Sequence, residues 1–261
     1  MTTIAPTRVP SGRYRLRHAA RMEWIKLRSL RSTWLTLAIT VAGAIGIALA
    51  VGANTENAAG DLTNNALAGI SLGLLLIGVL GVVVMTGEYT SGSIRSTLAA
   101  IPNRPLALAA KAGVFGAVTL LAGEAAAFIA FFAGGATLPA TVPAPTFSQP
   151  GVLRAVLLGG VGFCLIGLIG LGLGAVIRHT AAAIAVLVGG VYVLSQVVGA
   201  VARSILGYLP IAIVANSLTI TRPNADAQIH LLSPWTGLAM LCLYAAVALG
   251  AGGLLMARRD A

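Results

Sequence analysis

Six apolar runs, each near or above about twenty residues, restrict what this chain can become. They cover about Thr33–Ala53, Ala66–Thr86, Ala112–Gly134, Leu153–Ile177, Ala181–Val201 and Pro234–Ala257. An α-helix of roughly 20 mostly apolar residues crosses a bilayer core about 30 Å thick. In lipid the backbone finds no water, so a spanning run satisfies its own N–H and C=O groups as a helix. The runs predict an all-α integral membrane protein with six transmembrane helices. Composition agrees: 57% of the 261 residues are hydrophobic and only 9% are charged, against roughly a quarter in an average soluble domain. So few charges do not cover a water-exposed surface of this size.

The net charge of +10 raises the question of nucleic acid, but its distribution answers it. The basic residues sit in the N-terminal stretch and in short connections, and insertion retains Lys and Arg on the cytoplasmic side. With the N-terminus inside, only Arg154, Arg203 and Arg222 of the 17 basic residues fall outside. That split predicts cytoplasmic N- and C-termini and a bilayer, not nucleic acid, as the partner of the charge. All but two of the basic residues, Lys26 and Lys111, are Arg. With so much Ala and Gly, this suggests a bacterial plasma membrane as the location. Cys164 and Cys242 lie inside apolar runs, so no disulfide is expected. The polar stretch before the first run is too long for a signal-peptide n-region, and that run should remain as an anchor.

The N-terminus divides in two. Residues 1–12 hold two prolines, a glycine and no apolar period, and read as disordered. Residues 13–32 carry Leu16, Ala20, Trp24, Leu27 and Leu30 at steps of three and four, continuing to Trp34, with Arg17, Arg21 and Arg28 to the other side. This predicts a basic amphipathic helix on the cytoplasmic membrane surface. Glu23 interrupts the apolar stripe, which predicts a pair with Lys26, three residues on, or a protein partner. Residues 33–261 form the six-helix domain. Among its external connections, 135–152 carries four prolines and reads as extended. Segment 202–233 is apolar but interrupted by Pro210 and Asn216. It predicts a re-entrant or surface-lying helical hairpin on the outer side before the last span, with a seventh span as the alternative.

The connection GEYTSGSIRSTLAAIPNRPLALAAK, residues 87–111, has internal design. Ser93 is placed to cap a short helix with Ile94 and Leu98 on one face, Pro102 stops it, and Asn103-Arg104-Pro105 reads as a turn. A short amphipathic helix held out on the cytoplasmic side suits docking into a partner's groove. Glu88, Gly92, Ile94, Arg95, Leu98, Pro102, Arg104 and Lys111 occur in an order and spacing that resemble the membrane (permease) subunits of type-2 ABC transporters, mostly exporters. Glu23-x-x-Lys26-x-x-Ser29 followed by Trp34 also resembles that family's approach to its first helix. The resemblance implies a coupling helix at about Ser93–Ala100, with those eight residues forming an ATPase-docking loop. It further implies an ABC nucleotide-binding subunit and a second permease subunit, identical or homologous, as partners.

The chain carries no Gly-x-x-x-x-Gly-Lys-Ser/Thr loop, since Ile25 and Ala110 precede its two lysines. The expectation is a transport subunit that is not itself an enzyme and holds no cofactor, with ATP hydrolysed by another polypeptide. The cargo would be a hydrophobic or amphipathic small molecule, and efflux is the direction the resemblance implies. Gly170-x-Gly172-x-Gly174 lies in an apolar run and reads as helix packing. Glu124 is the acidic residue near the middle of a span. It is either a pathway site for a cation or proton, or a protonated carboxyl bonded to a neighbouring helix. The first option carries the alternative reading, a self-contained secondary transporter. His18, His179 and His230 have no metal spacing, and Tyr192 and Gln196 read as interhelical hydrogen-bonding groups.

Overall fold

The computed structural model describes residues 16–56, 60–201, 203–220 and 231–258. The stretch 1–12 read as disordered, together with Arg222 and His230, lies outside the described residues. Among the described residues there is no strand, and six helical segments are long and apolar enough to cross a membrane. They are α2 (Arg31–Ala53), α4 (Ala68–Thr90), α6 (Arg104–Ala136), α7 (Val152–Ile177), a composite fifth span within Thr180–Val198, and α12 (Pro234–Arg258). Each coincides with one of the six apolar runs.

α7 is the central helix. It packs against α4, α6 and α12 and buries Phe163, Ile166 and Leu171 completely. Its glycines make that possible. A Cβ at Gly170 would collide with the Gly78 carbonyl oxygen of α4, and one at Gly81 would meet the Gly167 carbonyl of α7. Gly172 lies in the same way against the Ala248 backbone of α12. Missing side chains let the backbones touch, which is how helices associate where lipid gives no hydrophobic drive.

Shorter elements decorate both ends. α1 (Leu16–Ser29) precedes α2, and α5 (Ser93–Ala100) bridges α4 and α6 at the same end of the bundle. α3 (Leu62–Ala66), α10 (Arg203–Leu206) and α11 (Pro210–Leu218) are too short to span, and α11 packs on α7, α12 and α4. α3 and the end of α11 meet at the opposite end, where Asp61 caps α3 through the Asn64 N–H and also accepts the Ile220 N–H. Arg154 of α7 donates to the Thr219 carbonyl at 2.9 Å. The proline-bearing loop after α6 contains no helix, and its Phe147 stacks on Phe131 with ring centroids 4.8 Å apart.

Three local features differ from the pattern read in the sequence. The third span begins at Arg104, not near Ala112, because Asn103 accepts the Leu106 N–H as a cap and Pro105 sits in the first turn, where its missing N–H costs nothing. At 33 residues α6 is about 50 Å long, well beyond a hydrocarbon core, so its first turns stand outside it. The fifth span is α8 (Thr180–Leu187) and α9 (Leu194–Val201) joined by a π-helical turn, Val188–Val193. The Tyr192 hydroxyl in that turn is buried without a hydrogen-bond partner among the described residues, and Gln196 is exposed, so the expected interhelical bond from Tyr192 is not made. Finally, the side of α1 that turns inward is Ala19, Glu23 and Leu27, while Leu16, Trp24 and Leu30 stay exposed.

Candidate functional site

The inward turn of α1 follows from charge. Glu23 is only 4% exposed, and its carboxylate meets both lysines of the chain. Lys26, one turn on, lies 3.1 Å from Glu23 Oε1 and 2.9 Å from Glu88 Oε1 on the last turn of α4. Lys111 of α6 lies 2.5 Å from Glu23 Oε2 and 2.8 Å from Glu88 Oε1. Two carboxylates and two ammonium groups thus alternate in a closed, neutral ring. Lys26 spends its third donor on Thr97 Oγ1 of α5, at 2.7 Å. Four helices, α1, α4, α5 and α6, are tied at one point.

Glu88 and Lys111 are 8% and 6% exposed, so this is an interior site. Burying such ions is costly, and breaking one pair leaves an uncompensated charge worth about 3–5 kcal/mol. Burial disfavours the Lys26 ammonium, but hydrogen bonds and Coulombic attraction from Glu88 and Glu23 outweigh it and hold its pKa above the ordinary lysine value. A cavity of ≈ 460 Å³ opens beside the ring between the α1–α2 elbow and α4, and Glu88 Oε2 is buried there without a hydrogen-bond partner among the described residues. The ring pairs acids with bases at full charge and brings up no nucleophile, so its chemistry is that of a fastener.

The eight residues of the loop pattern divide by exposure. Gly92 adopts φ 71° and turns the chain from α4 into α5; a Cβ there would meet nothing, so the glycine serves the backbone angle. Gly92, not Ser93, occupies the cap position of α5, and the Ser93 N–H donates to Ser91 Oγ at 3.4 Å. Ile94 is buried and Leu98 half-buried against the main core. Glu88 and Lys111 belong to the ring. Arg104 reaches across the bundle and donates to the Met256 carbonyl at 2.8 Å, in the last turn of α12. Arg178, in the left-handed region at φ 61° after α7, donates to the adjacent Leu255 carbonyl at 3.2 Å. Two guanidinium groups therefore serve the carbonyl end of the last helix, where its dipole favours cations. What α5 and its flank turn outward is Arg95, Ser96, Ala99, Ala100 and Pro102.

Sequence reasoning placed Glu23 beside Lys26 but missed Thr97 and the meeting of Glu23 with Lys111, 88 residues away. The usable signal was residue choice. In a chain that otherwise uses Arg, both lysines sit in the ring, where a compact ammonium with three donors fits and a planar guanidinium does not.

Glu124 lies within α6, its carboxyl pressed against Gly160 of α7, where a Cβ would overlap it. Oε2 is buried without a hydrogen-bond partner among the described residues. His18 is exposed, and His179 caps α8 through the Ala182 N–H.

The architecture is thus that of an all-α chain with six apolar helices, consistent with a multi-pass membrane protein. No family model matches the sequence, and no curated protein matches it.

Proposed function

We propose that this chain is the permease subunit of an ATP-driven ABC transporter of the type-2, exporter-like kind. ATP hydrolysis belongs to a separate nucleotide-binding subunit, and a second permease subunit, identical or homologous, completes the pathway. The reading sets the chain in a bacterial plasma membrane, termini inside, exporting a hydrophobic or amphipathic small molecule. The observation that carries it is the attachment of α5. A free loop helix would absorb a push, whereas α5 is bonded through Thr97 to a charged ring that grips α1, α4 and α6. Force on its exposed side, Arg95 and Ser96, reaches two spans without slack. Outside α5, the composite fifth span keeps most of its surface unburied, as a subunit awaiting a second copy requires.

Co-purification tests this reading. The tagged chain, expressed with its neighbouring reading frames, retains an ATPase, and Arg95→Glu weakens that association at least tenfold. Arg95 is exposed, so its replacement leaves stability within about 0.5 kcal/mol. Solute transport by the purified chain without a nucleotide-hydrolysing companion overturns it.

The unpartnered Glu124 oxygen favours a second reading, a self-contained secondary transporter with that carboxyl as its ion or proton site. Glu124→Gln keeps the shape and removes the charge. Transport that persists unchanged with every candidate cation eliminates this reading.

A further inference from the structure

The apolar residues that α1 leaves exposed have a place of their own. Trp24 and Trp34, 42% and 39% exposed, meet edge to face with centroids 6.5 Å apart at the mouth of an open groove of ≈ 1150 Å³. The groove runs between α2 and α6, from Trp34 to Ile45 on one wall and from Ala109 to Ala122 on the other. At 1.5 Å per residue these walls are about 16 and 20 Å long. A single leaflet of a bilayer with a ~30 Å core is about that deep. Alanines and Gly113 hollow its floor, and its sole charged lining residue is Arg21, at the α1 end. Arg17 and Arg28, four residues before and seven after, share the exposed stripe of α1 with Arg21.

From this geometry we infer a seat for one anionic phospholipid: an acyl chain lies in the groove, and the phosphate rests on Arg21 beneath the two indoles. Indole rings favour the depth at which headgroup meets hydrocarbon. Charge decides between a lipid and a second copy of the chain. Glu23 and Glu88 are spent in the ring, Glu124 is in mid-span, and Glu56 and Asp61 follow α2 at the far end. Among the described residues, a second copy brings no acidic surface to the arginine stripe, whereas an anionic headgroup does. The inference is independent of any ATPase partner.

Native mass spectrometry of the purified full chain, titrated with phosphatidylglycerol and with phosphatidylcholine of equal chains, tests it. One phosphatidylglycerol adduct outlasts phosphatidylcholine, and Arg21→Gln removes that preference, lowering the phosphatidylglycerol adduct about fivefold. Gly113→Trp fills the groove without a clash, since a Cβ there meets nothing within 4 Å, and abolishes the adduct of either lipid. Gly43→Trp, equally open but on α2 outside the groove, leaves the adduct intact and controls for folding. Equal retention of the two lipids, or an adduct indifferent to Gly113→Trp, overturns the seat. So does a Gly113→Trp variant that loses dimer while keeping lipid, because the groove then belongs to a second copy.

Discussion

The two ends of the bundle are held by different chemistry. At the α1 end, four charged side chains from three helices hold one another, with Thr97 of α5 as an extra acceptor. At the far end, charged side chains hold backbone: Asp61 takes the Asn64 and Ile220 N–H groups, and Arg154 gives to the Thr219 carbonyl. A tie to backbone fastens a loop whatever its sequence and breaks one bond at a time. A ring of side chains fixes the mutual register of whole helices and fails as a unit. The first suits a lid that stays put, the second a joint through which helices move together.

Lys111→Met breaks the comparison hardest. It leaves Glu23 and Glu88 buried with one ammonium between them, and unfolding in detergent should show a loss of about 3–5 kcal/mol. Adding Glu23→Gln restores charge balance and should recover more than half of that loss, a coupling that a double-mutant cycle measures. Simple addition of the two losses would mean that the ring does not act as a unit. At the far end Asp61→Ala removes one cap and one loop tie, for about 2 kcal/mol. Its loss should add independently to that of Lys111→Met, the two sites lying at opposite ends; strong coupling between them would contradict two separate fastenings. The smallest effect is that of pH. Because the folded pKa of Lys26 stands above its unfolded value, its contribution is complete below about pH 10.4 and is lost only as pH rises through the folded value. The unfolding midpoint should carry no Lys26-dependent change from about pH 6 to 9, and Lys26→Met should differ from the parent in the shape of its alkaline limb. A Lys26-dependent slope near neutrality would contradict this sign.

What was legible in the sequence follows from the range of the forces involved. The six spans are local facts, each written in its own run of apolar residues, and the short helix at Ser93–Ala100 is bracketed by Gly92 and Pro102. The start of α6 was also local and was misread. Asn103 followed two residues later by Pro105 signals a helix beginning as well as a turn, and only the packing of Ala107 and Ala110 against Ala19 of α1 selects between them. The inward side of α1 was not local at all. Hydrophobic period alone favoured Leu16, Ala20 and Trp24, but a carboxylate with two ammonium partners on α1 and α6 outweighs an indole that lies equally well against a groove.

The π-helical turn in the fifth span carries one more consequence. Such a turn accommodates one residue more than α-helical winding would, and here it holds the adjacent Gly189 and Gly190, at neither of which a Cβ would meet a neighbour. Excising either glycine would let the segment rewind as an uninterrupted α-helix and swing everything from Leu194 onward by about 100° around the axis. The exposed Gln196 and Val197 would then exchange places with buried Ser195. One codon thus sets the azimuth of half a span.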